Sequence, residues 1–310
     1  MVKYFYKSVR DDILLEKEAP QKGTWVYVEA PTDIEVAEIT KKFDLEPGLI
    51  EDALDEDEMP RMEQEDGRSY IFIRFAYKRS DGEMDTAPLL IIFDKEHIIT
   101  ISGIHLPALD SFLRNRYAFA TTQRAKLVLL ILTHISDQYD TFINRTSRKI
   151  KGIRSRLRGH GIRRQDLLDF VTIEDELNEF LASLLPTNAT LRRLLIGRHI
   201  PLFDEDQDMV EDLLLNNEQS IEGIRSNIRS IDNIRNSYTA ISSERLNKTI
   251  TFLTVATILV AMPNVFFSMY GMNVKLPYQE SGWIFPALIG LNIAIFVVIA
   301  LVARKKRFTR

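Results

Sequence analysis

The side chains able to do chemistry in this chain gather in a stretch that is otherwise apolar. Between Lys248 and Lys275 no residue is charged, yet Thr254, Thr257, Asn264, Ser268 and Asn273 bring hydroxyl and carboxamide oxygens into it, and Asn247 stands at its edge. Steps of three and four from Asn247 reach Ile250, Thr254, Thr257, Ala261, Asn264, Ser268 and Gly271, which on an α-helix is a single face. Its chemistry is hydrogen bonding by neutral oxygen. Asparagine inside an apolar span is costly unless it faces protein or water, so the seam is either glue between helices or the lining of an aqueous path. The other positions, among them Phe252, Val255, Leu259, Met262, Phe266 and Phe267, suit lipid or a neighbouring helix.

The element that carries this seam is long enough to cross a membrane. Residues 249–274 carry no charge, and at about 1.5 Å per residue they exceed a hydrocarbon core roughly 30 Å thick. A first transmembrane helix is expected over about 249–270 and a second over 283–303, where no charge falls between Glu280 and Arg304. Trp283 opens the second span as an interfacial aromatic. Arg304, Lys305, Lys306 and Arg307 begin a basic tail, 304–310, that anchors to anionic head groups. Arg245 and Lys248 precede the first span, and the loop 274–282 holds only Lys275 as a cation. The positive-inside rule therefore predicts a multi-pass chain with both termini in the cytoplasm, and the cell (inner) membrane is its expected location.

The first span ends in Tyr270-Gly271-Met272-Asn273, and a second apolar span begins after a short loop. At that address the triplet Gly-Met-Asn, preceded by Tyr, resembles the signature of the CorA family of divalent-cation transporters. The resemblance implies an α/β cytoplasmic domain, long helices forming a stalk, two C-terminal transmembrane helices and a funnel-like homopentamer around a central axis. It implies Mg2+ as the transported and regulatory ion, no catalytic cofactor, and Tyr270, Gly271, Met272 and Asn273 as the selectivity filter. Magnesium holds its water shell tightly, so rings of carbonyl and carboxamide oxygen at Gly271 and Asn273 would accept hydrogen bonds from the bound waters. By the same resemblance Asn264 and Asn247 form further polar rings, while Ile250 and Leu253 form a hydrophobic gate. Gating by intracellular cation points to Glu211 and Asp212 facing acids such as Asp81 or Asp85 of a neighbouring copy. The chain departs from the family pattern at Ser268, where many members have glycine, and at Asn264, where threonine is frequent. Its outer loop keeps only Glu280 as an acid.

The rest of the 310 residues must hold and move this helix. Residues 1–120 read as an α/β domain, with strands at Val2–Tyr6, Thr24–Glu29, Tyr70–Tyr77, Leu89–Phe93 and His97–Ile101. Thr32 is placed to cap a helix reaching Phe43, and Pro47 to open a second. The acidic run Glu51–Glu58 reads as a solvated helix end, with weak cation binding as the alternative. Residues 121–205 read as long antiparallel helices, 122–158 and 163–198, with Pro186 kinking or interrupting the second. A stalk helix over 206–273 is expected to start near Asp206, reach about 96 Å by Met269 at ~1.5 Å per residue, and continue into the first span. Its Ile221, Ile224, Ile228, Ile231, Ile234, Tyr238 and Ile241 form a coiled-coil-like seam.

Other functions find little support. The chain has no cysteine, which excludes thiolate sites, and no phosphate loop or nucleophile elbow, so it reads as a non-enzyme. A net charge of -4 and the lack of an aromatic-interleaved basic face argue against nucleic acid. His97, His105, His134, His160 and His199 show no paired spacing, which disfavours a soft-metal site; a zinc (or cobalt/nickel) transporter is the alternative within the family. A membrane-anchored oligomeric scaffold or sensor is the alternative of another class.

Overall fold

The structure, a computed structural model, describes residues 1–159, 163–196, 200–274 and 281–308. They form two compact units, Met1–Ile234 and Arg235–Arg310.

The first unit is built on a seven-stranded sheet. Strands β1 (Val2–Tyr6), β2 (Leu15–Lys17), β3 (Trp25–Glu29), β4 (Arg61–Glu65), β5 (Arg68–Lys78), β6 (Met84–Phe93) and β7 (Ile98–Ser102) lie in the order β2-β1-β3-β7-β6-β5-β4. All neighbours are antiparallel except β3 and β7. Successive side chains alternate between two cores. Val26, Val28, Tyr70, Phe72, Leu90 and Ile92 pack under α1 (Asp33–Phe43) and α2 (Pro47–Leu54), whereas Trp25, Tyr27, Ile71, Ile73, Leu89 and Ile91 join the larger core. Burial on both faces is why the central strands read as near-continuous apolar runs.

All five expected strands are present. The two extra strands, β2 and β4, are edges whose sequences, Leu-Glu-Lys and Arg-Met-Glu-Gln-Glu, lack an apolar alternation. Charge on an edge blunts further pairing and also hides the strand from a periodicity search. Thr32 does cap α1: Glu35 N–H donates to Thr32 Oγ1 at 3.4 Å, and Thr32 N–H donates to the Glu35 carboxylate at 2.9 Å. Pro47 opens α2.

A single-turn helix, α3 (Asp110–Leu113), leads to α4 (Arg124–Gly159) and α5 (Arg164–Leu195). Pro186 lies inside α5 without interrupting it. Helix α6 (Asp204–Tyr270) has 67 residues, starting two residues before the expected Asp206. Asp206 is instead its capping carboxylate, accepting the Phe203 N–H at 3.1 Å.

The isoleucine seam of α6 has a nearer partner than expected. Ile221, Ile224, Ile231 and Ile234 belong to the first unit's own core with Ile143, Ile150 and Ile153 of α4. Asn216 donates to Ser136 at 3.3 Å, Ser220 donates to Asp140, and a Cβ on Gly223 would stand 3.7 Å from Ile143. Both numberings rise together, so α4 and α6 run parallel. Tyr238 is half-buried and Ile241 exposed, and the burial of the seam ends at Ile234.

Candidate functional site: the polar face of α6

In the second unit, the end of α6 and helix α7 (Ile284–Phe308) are the long elements. One described helix, α6, is long and apolar enough to cross a membrane, none of that window is buried within the chain, and α7 carries a shorter apolar run, Ile284–Ile299. The α7 helix continues through the basic positions 304–307, which are therefore helical.

Each helix has one covered stripe. On α6 it is Val255, Ala256, Leu259, Pro263, Phe266 and Tyr270, and on α7 it is Ile284, Leu288, Asn292, Ile295 and Ile299. Leu288 is only 8% exposed. At about 100° per residue the predicted polar seam falls on the opposite side of α6. Asn247, Ile250, Thr254, Thr257, Ala261, Asn264, Ser268 and Gly271 are all exposed, as is the flanking Leu253. Of the six residues expected to meet lipid or a neighbour, Val255, Leu259 and Phe266 are half-covered, while Phe252, Met262 and Phe267 are exposed.

The threonines are pre-set as acceptors. Thr254 Oγ1 donates to the Ile250 carbonyl and Thr257 Oγ1 to the Leu253 carbonyl, both at 2.9 Å. With the hydroxyl proton engaged by the backbone, only lone pairs remain for anything approaching this face.

At the mouth, α6 ends on Tyr270. Gly271 N–H donates to the Phe267 carbonyl at 3.0 Å and Met272 N–H to the Met269 carbonyl at 3.3 Å. Gly271 is not left-handed, and a Cβ there would lie 3.3 Å from the Phe267 carbonyl oxygen. Met272, Asn273 and Trp283 are exposed. Glu280 and Lys275 lie outside the described residues, as do the side chains of Arg304, Lys305, Lys306 and Arg307.

The acids singled out as regulatory are not brought together within one chain. Asp81 and Asp85 share Arg79, at 3.4 and 3.8 Å, while Glu211 and Asp212 are exposed on the early turns of α6. Among the described residues no group of three or more His, Asp or Glu could hold a metal. The acidic run Glu51–Glu58 is tied down by arginine: Arg61 pairs with Asp52 at 2.7 Å and also with Glu58, and Arg74 donates to the carbonyls of Glu56 and Glu58.

One polar residue escaped the sequence reading. Asn292, on the covered stripe of α7, donates Nδ2 to the Leu288 carbonyl at 2.8 Å, and its Oδ1 is buried without a partner among the described residues. A lone carboxamide in an apolar run was the available signal.

An α/β unit that feeds an uninterrupted helix into an apolar segment, polar on its uncovered face and closed by Tyr-Gly-Met-Asn, is the layout of an ion-transporting membrane protein. Known proteins carry the same layout. The family model described as CorA-like Mg2+ transporter protein matches residues 20–305. The chain is 23% identical over 289 residues to the cobalt/magnesium transport protein CorA of Methanocaldococcus jannaschii, covering 89% of each. It is 23% identical over 313 residues to the magnesium transport protein CorA of Campylobacter jejuni, covering 94% of this chain and 92% of that one. The complete structure of the M. jannaschii CorA magnesium transporter superposes with a TM-score of 0.85 at 20% identity, over 98% of this chain and 97% of that one. The chain belongs to the CorA-like Mg2+ transporter family, whose members move divalent metal ions across membranes.

Proposed function

We propose that this chain forms a homopentameric, passive path for hydrated Mg2+ in the cell (inner) membrane, lined by the exposed face of α6. The observation that carries this reading is the side on which the polar seam lies. The half-covered stripe of α6 is apolar apart from Tyr270, while the oxygen-bearing face is left open. Lipid is a poor solvent for Asn247, Thr254, Thr257, Asn264 and Ser268, so that face requires copies of itself and water.

The chemistry then follows from the ion. Mg2+ prefers octahedral oxygen at about 2.0–2.1 Å and gives up its waters reluctantly. Neutral acceptors solvate those waters without trapping the ion. Thr254 and Thr257 offer lone pairs because their protons are engaged; Asn247, Asn264 and, at the mouth with Tyr270, Gly271 and Met272, Asn273 offer carboxamide oxygen. Ile250 and Leu253 project from the same side and close the path by excluding water when the five copies draw together. Glu211 and Asp212 of one copy, facing Asp81 or Asp85 of the next, form the cytoplasmic sensor, where bound Mg2+ holds like charges together and its loss lets them part. In this arrangement residues 1–248 and the basic end of α7 are cytoplasmic, and the loop 274–282 with Glu280 faces out.

The test is ion flux into proteoliposomes holding the purified full chain, with Mg2+, Co2+ and Zn2+ compared side by side. Mg2+ uptake that falls at least tenfold in Asn273→Ala is the expected result. Zn2+ uptake without Mg2+ uptake would overturn the choice of ion, and absence of flux with every ion would leave an oligomeric scaffold as the better reading.

A further inference from the structure

From Arg145 to Arg164 the chain carries nine Lys or Arg residues and no Asp or Glu. In linear sequence this is a charge run split by a turn; in the structure it belongs to one place. Ile150 and Ile153 of α4 share the core with Ile231 and Ile234 of α6, in the rising register fixed by Asn216 on Ser136 and Ser220 on Asp140. The last turns of α4 and the first of α5 therefore stand at the end of the first unit from which α6 departs. Only residues 235–248 of the chain separate that end from the charge-free stretch.

The charges there are available. Arg148, Lys149, Lys151, Arg154, Arg163 and Arg164 are exposed. Among the described residues none of them enters an ion pair, whereas Arg156 is engaged by Asp166. Ile150 and Ile153 face inward, so among the described residues the outer surface of the last turns of α4 is cationic. No Phe, Tyr or Trp lies between Phe142 and Phe170, so the tip has no platform on which nucleobases could stack. A surface that is cationic, non-aromatic and close in sequence to a membrane span is complementary to anionic phosphodiester head groups.

We infer that the α4–α5 tip docks on the anionic lipid head groups of the leaflet that α6 enters. The inference rests on α6 being a membrane span. Docking of this kind would steady the α4–α6 pair against the leaflet from which the path is entered.

The absence of cysteine makes the test direct. A donor dye on Ser155→Cys, an exposed position of α4, is read against head-group-labelled acceptor lipid with the full chain in vesicles. Energy transfer is expected to rise when about a third of the phosphatidylcholine is replaced by phosphatidylglycerol. It should fall back near 1 M salt, where the screening length is about 3 Å. At about fivefold per cation near such a surface, Lys149→Glu, Lys151→Glu and Arg154→Glu together should shift the docked-to-undocked ratio by about a hundredfold or more. The triple glutamine variant should shift it in the same direction. Transfer indifferent to phosphatidylglycerol, or rising equally in both triple variants, overturns the inference. So does a response to inorganic phosphate or to an added polynucleotide in pure phosphatidylcholine. Mg2+ flux in the same vesicles separates the outcomes: flux without a lipid response refutes docking alone, and failure of the chain to insert refutes the membrane reading beneath it.

Discussion

Arg74 is a cation in the interior of the first unit, and its removal has a calculable effect. It stands in β5 and is 7% exposed. Its Nε donates to Thr86 Oγ1 at 2.8 Å, one terminal nitrogen donates to the carbonyls of Glu56 and Glu58 at 2.8 Å each, and the other donates to the Thr86 carbonyl at 2.9 Å. Glu179 of α5 lies 3.5 Å away. One guanidinium thus ties the acidic loop after α2 to β6 and α5. Bonds to a charged donor contribute about 1.5–3 kcal/mol each, so four would suggest a very large loss. Two effects reduce it in Arg74→Met: methionine no longer has a charge to desolvate, and the carbonyls of Glu56 and Glu58 can turn to water. The buried Thr86 carbonyl cannot, and Glu179 loses its cation. Because Glu179 is 40% exposed and keeps its water, the expected net loss is that of leaving the buried Thr86 carbonyl unsatisfied, about 1–3 kcal/mol. At roughly 2–4 °C per kcal/mol for a unit of this size, the midpoint falls by about 2–12 °C. The chain has two tryptophans, and Trp25 is fully buried in the same sheet. Its fluorescence in a Trp283→Phe background follows the melt of the purified protein in detergent. Arg74→Lys should recover only a small part, because one ammonium cannot span three directions. A shift below about 2 °C in Arg74→Met would refute the reasoning.

Two further predictions concern the ends and interior of helices. Asp166 accepts the Arg163 N–H at 3.0 Å, and the Arg156 guanidinium beside it holds its carboxyl below the ordinary value of 3.8. A depressed carboxylate stabilises the fold above its unfolded pKa and loses that contribution as pH falls through the lower folded value. Asp166→Asn should therefore cost about 1–2 kcal/mol at pH 7, and its melting temperature should fall less than that of wild type between pH 5 and pH 3; parallel curves would contradict the assignment. Asn292→Leu removes a buried, partnerless oxygen along with its own-helix bond, an exchange that is near neutral or stabilising. Unchanged or slightly raised melting with flux retained is expected, and loss of flux at normal stability would instead give Asn292 a part in transport.

How much of this was legible in the sequence depends on what each signal measures. Periodicity reports which face of an element is hidden and says nothing of what hides it. For the polar seam that sufficed, because absence of charge from 249 to 274 supplied the second fact and placed Asn247, Thr254, Thr257 and Asn264 on one side of one helix. For Ile221, Ile224, Ile231 and Ile234 it did not suffice. The same spacing that suggests helices associating around an axis is met here by α4 of the same chain, and only contacts such as Asn216 on Ser136 distinguish the two. Edge strands β2 and β4 escaped because their charges erase the alternation that a central strand keeps. Arg74 escaped for the converse reason: inside Tyr-Ile-Phe-Ile-Arg-Phe-Ala-Tyr it reads as the outward member of an alternating strand, yet this sheet has no outward face. Once helices cover both sides, a charged residue in a central strand must bring its partners with it, and the acidic loop bound to Arg74 is that partner. The acidic run at Glu51–Glu58 therefore belongs to the architecture of the sheet, whereas Glu211 and Asp212 are exposed and, among the described residues, enter no ion pair.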